Sequence, residues 1–369
     1  MFCQIQPKSN LLVNIFINNS NYCSPTVWLH LVIMSRDVPR LFILVLKEIA
    51  KSPSKYINIE SYIKAKALYG EVCKDLDLCQ LLIDYITEAG RLADTVIPLG
   101  IYEADRVSLH FRNSKLSVKY ISEVIDICTN LEVTTALSTS SLIYHSSFNS
   151  KDINLSGTFQ VDDKLISYIW TRCKNLKSLN IQNCRKVTDK SLQCLATPPS
   201  QLNALHVGGC LNLTENGLIS FIKSNIGSKL SRFFVCGISI SNSTLMLIAK
   251  NMPNLTQLGI SYANINEEHL KVLLQNTKTA SGGTFGSQLE VLHMAWVGYR
   301  TTSTATANAV ALYDPSEPTT ATTISSDFFI DFLPNICPIL YELDVSGLKG
   351  VNSTSLAHYV DARLDLVRS

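Results

Sequence analysis

Three of the seven histidines occupy equivalent places in a repeated pattern: His110, His206 and His293. A neutral imidazole ligates metals and moves protons near physiological pH. Three in register are the sharpest candidate for chemistry in this chain. Geometry argues against it. Successive members lie three strands apart in the pattern, and strands are spaced by about 4.8 Å, so each separation is roughly 14 Å. Zinc needs its ligands at about 2 Å, and proton transfer needs hydrogen-bond contact. The three are read as separate, solvent-facing side chains. Other chemistry is missing too. The sequence has no Gly-rich phosphate loop, no His-Glu-x-x-His and no Cys-x-x-Cys. Cys73 and Cys79 are neighbours, but no Cys/His pair at zinc spacing accompanies them. The expectation is a protein without catalytic residues, metal or cofactor.

The elements that carry these histidines follow from a cadence. Leu176-x-x-Leu179-x-Ile181-x-x-Cys184 recurs 26 residues later as Leu202-x-x-Leu205-x-Val207-x-x-Cys210. A fixed period of this size marks an array of similar supersecondary units. Aligning on it gives eight strand candidates with apolar residues alternating at period two. They are Leu109/Phe111, Ile153/Leu155, Leu179/Ile181, Leu205/Val207, Phe233/Val235, Leu258/Ile260, Leu292/Met294 and Leu343/Val345. A capping-type residue and a helical apolar pattern follow most of them: Thr188-Asp189 before Leu192, Thr214-Glu215 before Leu218, Ser241 before Leu245, Asn266 before Leu270. One strand and one helix per unit predict an α/β solenoid, with a curved parallel sheet inside and helices outside.

Three inserts lengthen the period. Residues 134–152 interrupt what would be one strand; removing them restores the 26-residue spacing from Leu131 to Leu176. An insert inside a strand is either a looped-out excursion or an artefact of gene assembly, and the restored spacing favours the artefact. Residues 277–287 and 298–325 read as Gly/Ser/Thr- and Thr/Ala-rich loops, the second leading into a helix over 327–336. The domain reading is an extension over 1–33, a helical cap over 34–104 and the repeat array over 105–369.

Composition bounds the partner. A net charge of +2 offers no field for nucleic acid or an anionic membrane. No segment reaches the roughly 18 apolar residues of a membrane span. Of the 11 Cys, several hold repeat positions: Cys184 and Cys210 share one slot, and Cys173, Cys337 and Cys128 share another that Met252 also fills. A place that accepts Cys or Met is a buried apolar place rather than a bridge. Reduced, buried cysteines suit the cytosol or nucleus.

The run from Leu176 through Cys184, Val187-Thr188-Asp189 and Leu192 resembles the cysteine-containing leucine-rich repeat of F-box/LRR proteins, of the Amn-like antagonists of mitotic exit and of the ribonuclease-inhibitor-like superfamily. The resemblance spans about residues 105–362. Ile238 and Ala263 replace the Cys in later units, and Ser114 and Thr158 in earlier ones. The resemblance implies protein recognition, most often of substrates for an SCF-type ubiquitin ligase. It also implies a Skp-binding box before the array. Residues 38–86 are the candidate, with Val72-Cys73-Lys74 similar to the family's late Val-Cys-Lys/Arg. That segment departs from the box in length and in having Asp75-Leu76 where an aromatic usually stands; a helical cap for the first repeat is the alternative.

In such an array the residues alternating with the leucines face the open concave side. The candidate protein-binding set is His110, Asn180, His206, Arg232, Phe234, Gln257, His293 and Asp344. Phe234 beside Arg232 has the composition of an interface hot spot; packing of Phe234 on its neighbours is the alternative. Trp170 and Trp296 read as core or rim packing.

Overall fold

Period-two alternation over three residues at a time is enough to make short strands when each is covered on both edges by its neighbours. The computed structural model describes residues 86, 92–94, 108–127, 152–173, 175–198, 201–238, 240–276, 283–297, 324–348, 350–351, 354 and 357–361. Among them run eight three-residue strands. These are β1 (Ser108–His110), β2 (Asp152–Asn154), β3 (Ser178–Asn180), β4 (Ala204–His206), β5 (Arg232–Phe234), β6 (Gln257–Gly259), β7 (Val291–His293) and β8 (Glu342–Asp344). They form one parallel sheet in chain order, β1 to β8. The register aligns Leu109, Ile153, Leu179, Leu205, Phe233, Leu258, Leu292 and Leu343 in a single row. All eight strand candidates are present, in the expected register. The chain is an α/β leucine-rich-repeat solenoid.

Helices α1 (Val118–Ile127), α2 (Asp163–Arg172), α3 (Asp189–Leu195), α4 (Glu215–Ile222), α5 (Asn242–Asn251) and α6 (Glu267–Gln275) return the chain to the start of the next strand. Each buries an apolar stripe, such as Leu165, Ile166 and Ile169 of α2 or Leu270, Leu273 and Leu274 of α6, against the strand row. No helix among the described residues is long and apolar enough to cross a membrane. Thr188, Thr214 and Asn266 cap α3, α4 and α6 as expected. Ser241 does not cap α5 with its side chain; its hydroxyl is bonded to Ser243 instead, at 2.7 Å. The helix expected over 327–336 is a π-helical turn, Phe328–Phe332, followed by Leu333–Ile336. Pro334 has no N–H to give to the preceding turn, which loosens the α ladder there.

Every strand ends in the same bend. The residue three past each strand is left-handed: Asn113, Gly157, Asn183, Gly209, Gly237, Tyr262, Trp296 and Gly347, with φ between 52° and 73°. Asn and Gly adopt this conformation readily. Tyr262 and Trp296 do not, and their rings stack with centroids 6.3 Å apart. Trp296 also lies over Gly347, where an added Cβ would sit 2.3 Å from its ring. Trp170 is buried and its Nε1 donates to Thr197 O at 3.2 Å.

The cysteine slots are buried as expected: Cys173, Cys184, Cys210, Met252 and Cys337 all sit in the core. Cys184 and Cys210 are more than filler. Their thiols donate to Leu155 O and Ile181 O of the preceding unit, at 3.2 and 3.0 Å. Thr158 fills the same slot and donates to Phe111 O at 2.6 Å. A small donor is what the slot selects, until Ile238 and Ala263 replace it. The inserts' cores, Leu131 and Cys128, the N-terminal extension and residues 38–85 fall outside the described residues.

Candidate functional site

The concave face carries the histidines where the pattern put them, on β1, β4 and β7. The structure brings two of them into one contact chain. Phe234 stacks on His206 with centroids 4.3 Å apart and planes 14° from parallel. Its other edge meets His293 at 5.3 Å, at 63°. His293 lies two strands away from Phe234, across β6. Gly259 makes this reach possible: a Cβ there would stand 2.4 Å from Phe234 Cδ1. His293 Nε2 then meets Glu342 Oε1 at 2.8 Å. His206, Phe234, His293 and Glu342 thus form one contact line from β4 to β8.

Phe234 is half-buried by these contacts rather than openly exposed. It packs on its neighbours, as the alternative had it, and is partly exposed, as is Arg232. Burial, with the Arg232 and His293 charges as lesser causes, pushes the His206 imidazole down to about 3. It is a neutral ring at any ordinary pH.

His110 departs from its expected solvent-facing place. It is only 6% exposed, and Asp152 on the next strand is buried too.

Asn180 and Asp344 brace their own strand ends. Asn180 Oδ1 accepts from Gln182 N and Asp344 Oδ1 from Ser346 N, both at 3.0 Å. Gln257 Nε2 lies 3.4 Å from the Tyr341 hydroxyl. Burial and the nearby Glu290 and Glu342 carboxylates raise the Tyr341 phenol. Tyr341 is the site residue the sequence reading missed, together with the reach that Gly259 allows. Tyr341 precedes its strand by one residue, and Gly259 matters for the side chain it lacks. Cys236 was missed as well; its thiol would touch a Cβ at Gly259 at 2.9 Å, and burial raises it.

A second set of polar groups runs along the helix starts. Asp163 accepts from Thr188 N at 2.8 Å, Thr188 Oγ1 at 2.7 Å and Ser191 Oγ at 2.6 Å. Asp189 accepts from Thr214 N and Oγ1, at 2.8 and 2.6 Å. Glu215 accepts from Ser241 N at 2.7 Å and from the Thr244 hydroxyl. Glu267 accepts from Ser325 N at 2.6 Å and pairs with Lys271. Each carboxylate thus ties the first turn of one helix to the start of the next helical segment. This is a structural use for the acidic residue after the capping position.

Among the described residues no group of three or more His, Cys, Asp or Glu side chains is placed to hold a metal ion. An open depression of about 660 Å³ lies beside the ends of α3 and α4, lined by Ala196, Pro198, Ile226, Lys223 and Lys229 among others. Two lysines and an apolar wall offer no acid–base pair.

No family model matches this chain, and no curated protein matches it. Solved structures do. One is the crystal structure of the Rad7 and Elc1 complex from yeast. The matched chain is 16% identical, with a TM-score of 0.53 over 96% of this chain and 71% of that one. At that identity the likeness is one of fold, and it supports the solenoid.

Proposed function

We propose that this protein is a non-catalytic recognition module that holds a protein partner on its concave face. The observation that carries the reading is the contact line of His206, Phe234, His293 and Glu342, flanked by Arg232 and Gln257. Packed, half-exposed aromatic groups beside an arginine lose little entropy when a partner covers them. Asn180 and Asp344 frame this surface, while buried His110 lies outside it. The test is crosslinking of the full chain in cell extract, with Arg232→Ala/Phe234→Ala as the control. Loss of the crosslinked partner with an unchanged melting curve supports the face; unchanged capture moves the interface elsewhere.

The finer reading is substrate recognition for an SCF-type ubiquitin ligase, with residues 38–86 on the Skp adaptor. The Val72-Cys73-Lys74 resemblance supports it. So does a fold neighbour solved as a complex with a second protein. An Amn-like regulatory or scaffold protein is the competing reading. Binding of purified Skp adaptor to the full chain separates them, since no binding removes the ligase reading. The buried cysteines favour a cytosolic or nuclear location.

A further inference from the structure

A second surface lies on the rim where strands hand over to helices. The slot filled by Ser114, Thr158 and Cys184 is buried in these three units. The residue after it is exposed: Lys115, Phe159 and Arg185. Backbone bonds hold the three turns side by side, for Asn113 N donates to Ser156 O and Gly157 N to Gln182 O, both at 2.7 Å. Neighbouring units are spaced by about 4.8 Å, so the backbones at Lys115 and Arg185 stand roughly 10 Å apart, with Phe159 between them. Lys186 Nζ meets Gln160 Oε1 at 2.9 Å, and Asn212 Nδ2 donates to Arg185 O at 2.7 Å. Lys164 and Lys190, second in α2 and α3, are exposed on the same rim.

Phe159 is 61% exposed. A lone exposed apolar side chain needs no explanation, but this one sits among cations. The carboxylates nearby turn inward. Asp162 accepts from Leu165 N at 2.9 Å, and Asp163 and Asp189 accept from the starts of the next helices. All three are half-buried, whereas the cations are exposed. The outer face of the rim is therefore basic, although the whole chain carries only +2. Charge selects an acidic occupant. A nucleic acid collects its affinity from many phosphates. The few cations here, with carboxylates behind them, favour a short acidic segment of protein instead. Phe159 gives that segment an apolar anchor, on turns already braced by hydrogen bonds, so little ordering is needed on binding.

We propose that this rim docks an extended acidic segment of another protein. One apolar side chain of the segment packs on Phe159, with a carboxylate on either side against Lys115 and Arg185. Lys186 and the lysines of α2 and α3 supply the field around it. The surface is separate from the Phe234 contact line, and the proposal stands without the concave-face reading.

The probe is a fluorescein-labelled peptide, Glu-Glu-Leu-Glu-Glu, titrated with the full chain to high micromolar concentration and read by anisotropy. The expected result is binding that weakens as salt is raised, because the charges are exposed. Lys-Lys-Leu-Lys-Lys binds at least about ten-fold more weakly. Phe159→Ser weakens the acidic peptide about five-fold. Lys115→Glu/Arg185→Glu reverses the preference between the two peptides, which also shows that the variant is folded. Arg232→Ala/Phe234→Ala leaves the binding intact, so failure of the concave reading is distinguishable from failure of this one. No binding of the acidic peptide overturns the proposal. So does binding that survives Lys115→Glu/Arg185→Glu, or an oligothymidylate of equal charge that binds more tightly than the peptide. A dimer of the chain that Phe159→Ser dissolves also overturns it, because the rim would then belong to a second copy.

Discussion

Replacing Asp163 tests how neighbouring units are held together. Its carboxylate accepts one backbone N–H and two hydroxyls from the start of α3. Bonds to a charged acceptor contribute about 1.5–3 kcal/mol each, and a half-buried N–H left without a partner costs about 1–3 kcal/mol. The hydroxyls of Thr188 and Ser191 turn to water when the carboxylate is removed and recover part of their loss. Asp163→Ala should therefore lower stability by about 2–4 kcal/mol, and Asp163→Asn, which keeps one acceptor oxygen, by about half of that. Charge gives a second handle. Burial raises the Asp163 carboxyl, but the Ser191 and Thr188 hydrogen bonds together outweigh it and hold it below its ordinary value. A folded value below the unfolded one stabilises fully above the unfolded value, about 3.9. That stability is lost as pH falls through the folded value. The gap between wild type and Asp163→Asn in urea denaturation should be full at neutral pH and narrow below about pH 4. A loss under about 0.5 kcal/mol, or a gap that ignores acid, refutes the argument.

Three further outcomes follow. His206, pushed down to about 3, should show a flat imidazole NMR shift from neutrality to about pH 4.5; because its unfolded value is higher, it should also weaken the fold as pH falls below about 6.5. A titration near 6 would refute the buried stack. Burial pushes the Cys184 and Cys210 thiols up to about 12, so iodoacetamide at mildly alkaline pH should label half-buried Cys194 well before either; equal labelling by mass spectrometry would count against the thiol–carbonyl bonds. Gly259→Ala should drive the Phe234 ring off β6 and lose its contacts, at a cost of about 1 kcal/mol, with a changed His293 NMR shift; an unmoved His293 signal contradicts the bridging role.

The solenoid was legible because its signal is repeated. Leu179, Leu205 and Leu258 each carry a weak local preference, but a fixed spacing multiplies it, and strands of three residues have little freedom to shift register. The candidate site was only half legible. Pattern gives the strand and the face, and so placed Arg232, Phe234 and His293. It does not give the direction in which a ring leans. Phe234 reaches His293 because Gly259 is empty, and a missing side chain leaves no positive mark in a motif. His110 shows the other limit. Its slot is the same as that of His206, yet it is buried, because a repeat pattern fixes the face of the sheet and not what lies over it.

The repeat unit divides its polar residues by task. Of the carboxylates that follow the caps, Asp163, Asp189 and Glu215 bind across unit boundaries through two or more donors each, and Glu267 through Ser325 N. The donors Thr158, Cys184 and Cys210 do the same inside the core. Most of the side-chain hydrogen bonds between units thus come from groups away from the concave strands, where Asn180 and Asp344 brace only the ends of their own strands. Where concave residues do make specific contacts, as from His206 to Glu342, those contacts shape the exposed face itself. Substitution at Phe234 should therefore change recognition far more than folding, whereas substitution at Asp163 should do the reverse. Comparable effects of both on the urea midpoint would show that the two tasks are not separated.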